Sequence, residues 1–253
     1  MSKRTTIFLS LLALITALLS VLFISISFLV DFLAGNETAS LVFKEIRTAF
    51  DLIAEYTAFG IVIYSFCRYT PSKAKRSILI ALGSILLSFI FQLTATAIFE
   101  LTTSAEKTGD IWGNILMFSL FGLLGVVIER ILPCLLIAFI TYLCTRNGTT
   151  KISGIFSLKN PIQKSMFFSA IAIYLVNSIP TLSLHIIEII GIGGTSQMYA
   201  EEFMLNYVIP HILILVYNLI LVYFVFLITY FICKKFEESA PIKRKNTSPL
   251  EEK

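Results

Sequence analysis

The sequence predicts an all-α, polytopic membrane protein of six transmembrane helices with both termini in the cytoplasm. Three observations predict it. Apolar residues make up 57% of the 253 and charged residues 14%, against roughly 25% charged in globular chains. The apolar residues fall in six long runs, and the basic residues collect between them in alternation. A soluble domain of this length has too much surface for its core to hide so much apolar side chain. Disorder is excluded by the low charge and the 22 Phe. Nucleic acid is not an expected partner, because membrane topology accounts for the net charge of +4.

A helix satisfies its own backbone hydrogen bonds, so it can cross hydrocarbon once it holds ~20 mostly apolar residues. The first run, Ile7–Leu33, exceeds the roughly 7–15 residues of a signal-peptide core and reads as a true helix or signal anchor. Its Ser10, Ser20, Ser25 and Ser27 suit close helix packing. The second and third runs are Phe50–Phe66 and Ser77–Leu101. The fourth, Gly113–Cys144, is long. Splitting it at Glu129-Arg130 would add a crossing and send the basic Arg146–Lys164 loop outside. One long helix is therefore expected, tilted or broken near Pro133, whose missing N–H weakens the ladder there. Gly113, Gly122 and Gly125 mark a close-packing face on it. The fifth run, Met166–Ile190, carries Asn177, Ser178 and Pro180, which are expected to interrupt it. The sixth, Leu205–Cys233, opens at Asn206 and Pro210. Residues 1–236 thus read as one transmembrane domain and 237–253 as a flexible cytoplasmic tail. The stretch Ile152–Leu158 is expected to lie along the interface as a short amphipathic piece.

Orientation follows from charge. Sixteen of the 20 basic residues lie on alternate loops and the termini: Lys3 and Arg4; Arg68, Lys73, Lys75 and Arg76; Arg146, Lys151, Lys159 and Lys164; and six after Cys233. The intervening loops hold only Lys44, Arg47 and Lys107. Basic residues stay inside, so both termini are cytoplasmic. Tyr64, Cys67 and Arg68, Tyr142, Cys144 and Arg146, and Tyr230, Cys233 and Lys234 close the even-numbered helices in a faint repeat. The cysteines lie on or inside the cytoplasmic half with no CxxC pair, which argues against a disulfide framework.

Acids carry the functional reading. Asp51 and Glu55 are four apart and share a face of the second helix, with Arg47 four residues before them. His185 and Glu188 are three apart, and His211 also lies toward the outer side. The sharp expectation is an outward-open acidic vestibule lined by Asp51, Glu55, His185, Glu188 and His211, with Glu129 beneath it. Such a site attracts a cation, an amine or a proton. Glu129 and Arg130 occupy the deep middle of the fourth helix. A charge there costs ~2.5–3.5 kcal/mol, so both are expected to face the bundle or a wet cavity, as a functional pair or as a structural ion pair.

Enzyme chemistry is not expected. There is no GxSxG elbow, and Gly191-Ile-Gly193-Gly194 lacks the Lys-Ser/Thr of a phosphate loop. His185, Glu188 and His211 come with no second metal motif, so no metal or cofactor is expected. The leading expectation is a solute carrier, or the membrane subunit of a transporter, with an acidic outward-facing site. The chain carries no ATP-binding sequence, so an ATP-driven function would require a separate ATPase subunit. The alternative is a non-transporting scaffold, assembly factor or immunity-type partner acting through helix and loop contacts. The surrounding lipid bilayer is the one constant partner, and a bacterial cytoplasmic membrane is the expected location.

Overall fold

The computed structural model describes residues 1–34, 37–103, 119–120, 122–148, 152, 154–191, 205 and 209–239; at helix positions 24, 27–28, 31–34, 37–45, 47, 95–96, 99–103, 179–191 and 210–211 it describes the backbone alone. Six long helices follow one another: α1 (Lys3–Ala34), α2 (Glu37–Arg68), α3 (Pro71–Thr103), α4 (Gly122–Thr145), α5 (Pro161–Gly191) and α6 (Ile209–Glu238). There is no strand among the described residues. Stretches within α1, α2, α3, α4 and α6 are long and apolar enough to cross a membrane. The 31 residues of α5 reach about 46 Å at 1.5 Å per residue, so its length also suffices.

Local sequence sets the helix ends. Ser2 caps α1, its Oγ accepting the Thr5 N–H at 3.0 Å. Asn160 does the same for α5, its Oδ1 accepting the Ile162 N–H at 3.0 Å. Pro71 and Pro161 then stand at the first helical positions of α3 and α5, where their fixed φ helps and no N–H is missed. Gly148 follows α4 at φ +107°, a conformation that side chains resist.

α2 is the axle of the bundle. More than half of its span is buried, whereas about a quarter of each other span is. From Tyr56 to Ser65 every residue is buried, and α2 touches each of the other five helices. Around it stand α1, α3, α4, α5 and α6, with α1 against α3, α3 against α4, α4 against α5 and α5 against α6. The ring closes at the end that holds both termini, where Phe8 of α1 stacks on Phe236 of α6 at 3.7 Å between centroids. Gly60 lets α6 approach closely: a Cβ there would lie 2.9 Å from the Thr229 side chain. The ring's outer faces carry exposed Leu11, Leu18 and Leu22 on α1, Leu79 and Ile90 on α3, and Leu213, Ile220 and Ile228 on α6. Serines and threonines, among them Ser20, Ser65, Ser77, Thr141, Ser169 and Thr229, are buried instead. Apolar outside and hydroxyl-bearing inside is the arrangement that lipid as solvent favours.

The structure adds four details to the sequence expectation. α4 is continuous across 122–145, but Val127–Ile131 forms a π turn just before Pro133. The Leu132 N–H reaches the Val127 carbonyl, one residue further back than in an α-helix. Pro133 donates no hydrogen bond and its ring crowds the preceding turn, so the turn widens. α5 runs without interruption through Asn177, Ser178 and Pro180. α6 continues to Glu238, past the expected boundary at 236. Residues 154–160, which include most of the piece expected along the interface, are non-helical and expose Ile155, Phe156 and Leu158. Tyr223 Oη donates to the Ile155 carbonyl at 2.8 Å, and Gln163 Nε2 donates to the Gly154 carbonyl at 3.2 Å, which pins this loop to α5 and α6.

The end of the bundle that holds both termini is fastened by Glu237. Its carboxylate accepts the phenols of Tyr64 and Tyr69, each at 2.6 Å, and the Arg68 Nε–H at 3.1 Å. Tyr230 packs edge-on against Tyr64, 5.5 Å between centroids. Burial, with the hydrogen bond to Glu237, pushes the Tyr69 phenol up to about 12, so it remains a donor at any ordinary pH.

Candidate functional site

The residues that meet inside the bundle are Asp51 and Glu55 of α2 and Arg130 of α4. Four-residue spacing stacks the two carboxylates on one side of α2. They line a small cleft with Ala13 and Ala17 of α1, Ser84 and Ser88 of α3, and Arg130. Alanines and serines dominate the wall, which leaves room for charged groups where four helices would otherwise be in full contact.

Geometry sorts the charges. Arg130 Nε lies 3.6 Å from Glu55 Oε2, with side chains 20% and 11% exposed. That is an ion contact, longer than a hydrogen bond. Neither side chain has any other hydrogen bond or ion pair among the described residues. Asp51 is held separately, its Oδ1 accepting the Ser20 hydroxyl of α1. Ser84 donates to the Ala81 carbonyl at 2.9 Å, leaving its lone pairs free. Ser88, only 7% exposed, lines the cleft and makes no hydrogen bond among the described residues. Asp51 and Glu129 are close enough to act electrostatically on Glu55. The trio Asp51, Glu55 and Arg130 carries one negative charge when all are ionised.

Glu55 and Arg130 stand at one level along α2 and α4, as their 3.6 Å contact requires. Glu129 departs from expectation. It is exposed on the outside of α4, whereas Arg130 turns inward. Neighbouring residues on a helix cannot share a face, and it is Arg130 that finds an acid across the interface.

Of the five residues expected to line the vestibule, the structure brings together Asp51 and Glu55. His185 lies on α5 with Glu188, and His211 lies in the first turn of α6, but the three side chains are outside the described residues, as is that of Arg47. The sequence reading missed Ser84 and Ser88 as cleft residues and Ser20 as the partner of Asp51. The available signal was their scarcity of alternatives: a serine in a membrane helix turns inward unless it bonds its own backbone. Of the expected glycine face, Gly122 packs against the Phe89 ring, with a Cβ there only 3.1 Å away, and Gly125 faces open space. Gly113 is outside the described residues. No group of three or more His, Cys, Asp or Glu that would hold a metal occurs among the described residues. Comparison with protein families, with curated proteins and with solved structures finds no match to this chain.

Proposed function

We propose that this multi-pass membrane protein is a carrier for a small cationic solute, or the membrane subunit of such a transporter, in a bacterial cytoplasmic membrane. The observation that carries this reading is the cleft. Two carboxylates and one loosely held guanidinium lie together within the span, where an idle charge is costly and charged groups usually belong to a substrate or ion pathway. The local balance is negative, and the cleft is near the outer face, so cations from that side are attracted and anions are not. An ATP-driven version would require an ATPase subunit contributed by another chain.

A second reading has its own support. Ser20–Asp51 and Arg130–Glu55 tie α1 to α2 and α4 to α2, which is what interhelical staples in a scaffold do. Flux separates the two. Reconstituted into proteoliposomes, the wild type is expected to move cations down an imposed gradient, and Asp51→Asn and Glu55→Gln to abolish that flux while folding normally. Folded wild type with no flux above empty vesicles for any small cation would reject the carrier reading and leave the staple.

A further inference from the structure

Glu55 is an under-satisfied carboxylate. It is nearly nine-tenths buried, accepts no hydrogen bond, and has one cation at 3.6 Å. Buried carboxylates ordinarily accept several short hydrogen bonds. Arg130 is under-satisfied too, offering five donors to a single loose contact. A guanidinium built to hold this carboxylate permanently would sit fork to fork with it. Beside the pair, the mostly buried Ser88 lines the cleft with a hydroxyl that makes no hydrogen bond among the described residues, and Ser84 has lone pairs to spare. Helix serines usually return their hydroxyl to their own backbone, as Ser84 does. The cleft thus presents oxygen atoms from Asp51, Glu55, Ser84 and Ser88 around one small space. Hard oxygen donors of this kind suit a hard inorganic cation.

Size and charge narrow the class. The space is too small for an amine-bearing organic solute. With Arg130 tethered beside them, the two carboxylates leave one net negative charge, which a monovalent cation neutralises and a divalent one exceeds. The π turn supplies the remaining part. Arg130 stands within Val127–Ile131, where the ladder is already opened ahead of Pro133. π turns are frequent at functional sites, and a side chain on one can move without breaking a regular helix.

We propose that the cleft binds a monovalent cation of about sodium's size through Asp51, Glu55, Ser84 and Ser88, and that Arg130 is a tethered competitor which holds Glu55 until that cation displaces it. This rests on the reading of the cleft as a cation site and names its ligand and its gatekeeper. Arg130 keeps the acid from standing bare in the membrane between turnovers. Its removal is therefore expected to strengthen cation binding, and Arg130→Lys, which keeps the charge and shortens the reach, separates displacement from plain charge repulsion.

The test uses the full chain in detergent, with thermal unfolding followed as NaCl replaces choline chloride at constant ionic strength. Sodium is expected to raise the wild-type midpoint saturably. Ser88→Ala and Glu55→Gln are expected to lose that response. Arg130→Gln is expected to bind sodium roughly 10-fold more tightly, within the range of ordinary coupling between sites. Should Arg130→Gln fail to fold, Arg130→Lys serves the same purpose: its shorter reach competes less, and affinity rises by a smaller factor. Unchanged sodium affinity in the Arg130 variants overturns the tethered competitor. Absence of a sodium response in wild type and variants alike, or a response to calcium in place of sodium, overturns the site. The carrier reading fails separately, if the wild type binds sodium yet its proteoliposomes take up no radiolabelled sodium.

Discussion

Glu55 illustrates how differently the two halves of one contact could be read. That Asp51 and Glu55 share a face was legible, because helical spacing is local arithmetic. That Arg130 is the partner was not, because the contact joins residues on separate helices and depends on how α4 is rotated against α2. The same rotation decided between Glu129 and Arg130, and there the sequence had no vote. An ion pair this buried resists the loss of one member more than the loss of both. Glu55→Gln and Arg130→Gln are each expected to cost about 2–4 kcal/mol of stability, below the 3–5 kcal/mol of a fully buried pair because Arg130 is partly exposed. The double variant is expected to recover much of that loss. A double-mutant cycle on thermal or denaturant unfolding checks it, and simple additivity would mean that the pair has no coupling. Gly60 makes a sharper packing test. A Cβ at that position meets Thr229 Cβ and Cγ2 at 2.9 Å, so Gly60→Ala is expected to cost about 1–3 kcal/mol by forcing α2 and α6 apart. Thr229→Gly in the same chain should restore most of it, since it removes the atoms that clash. A lowered melting temperature that the second substitution leaves unchanged would show that the cost arises elsewhere.

Among the elements, α4 and α5 show that a proline's presence is legible and its consequence is not. Pro133 opens a π turn in α4, yet Pro180 sits inside an unbroken α5. Both lack the N–H, but neighbouring helices and local π adjustments can absorb the loss in a membrane bundle. Pro133→Ala restores a donor to the ladder and is expected to draw the π turn toward a regular α-helix. Losing the extra residue from that turn rotates Arg130 away from Glu55 relative to Leu132–Thr145. Spin labels on α2 and α4 near the cleft would detect the shift in distance, and an unchanged distance would mean that packing, not Pro133, sets the turn. The cytoplasmic fastening of α6 was hidden for another reason. Glu237 looked like the start of a polar tail, since its partners Tyr64, Arg68 and Tyr69 lie far away in sequence. Hydrogen bonds to a charged acceptor contribute about 1.5–3 kcal/mol each when well formed. Glu237 is partly exposed and Arg68 largely so, so solvent screening brings the ion pair with Arg68 to the bottom of its range. Glu237→Gln keeps the shape and loses the charge. It is expected to lower stability by about 1–3 kcal/mol, with fraying confined to the last turns of α6 by hydrogen exchange.

For the whole molecule, one rule links composition to architecture. The least apolar of the candidate spans, α2, is the one that the others surround. Lipid imposes that order, because a helix facing hydrocarbon must be apolar over its whole lipid face, whereas a central helix can carry Asp51, Glu55, Thr57 and Ser65 on any side. Six apolar runs were therefore enough to predict the fold class, and α2 could have been named as the axle from its acids and hydroxyls. The order of the ring around it could not, since hydropathy says which face meets lipid and not which helix stands beside which. Orientation rests on the sorted basic residues, and it has a direct consequence for the cleft. With Lys3, Arg4, Lys73, Lys75, Arg76 and Arg146 inside, α2 and α4 both enter from the outer face and Glu55 lies near that face. Reversed, the same cleft would open toward the cytoplasm and draw from a different cation pool. Cysteine labelling in intact cells decides it. In a background with the four native cysteines replaced, Lys73→Cys and Arg146→Cys are expected to react with a membrane-impermeant thiol reagent only after the cells are opened, and Glu201→Cys to react before. Labelling of Lys73→Cys from outside would invert the topology, and the cleft at Asp51 and Glu55 would then have to be supplied from within the cell.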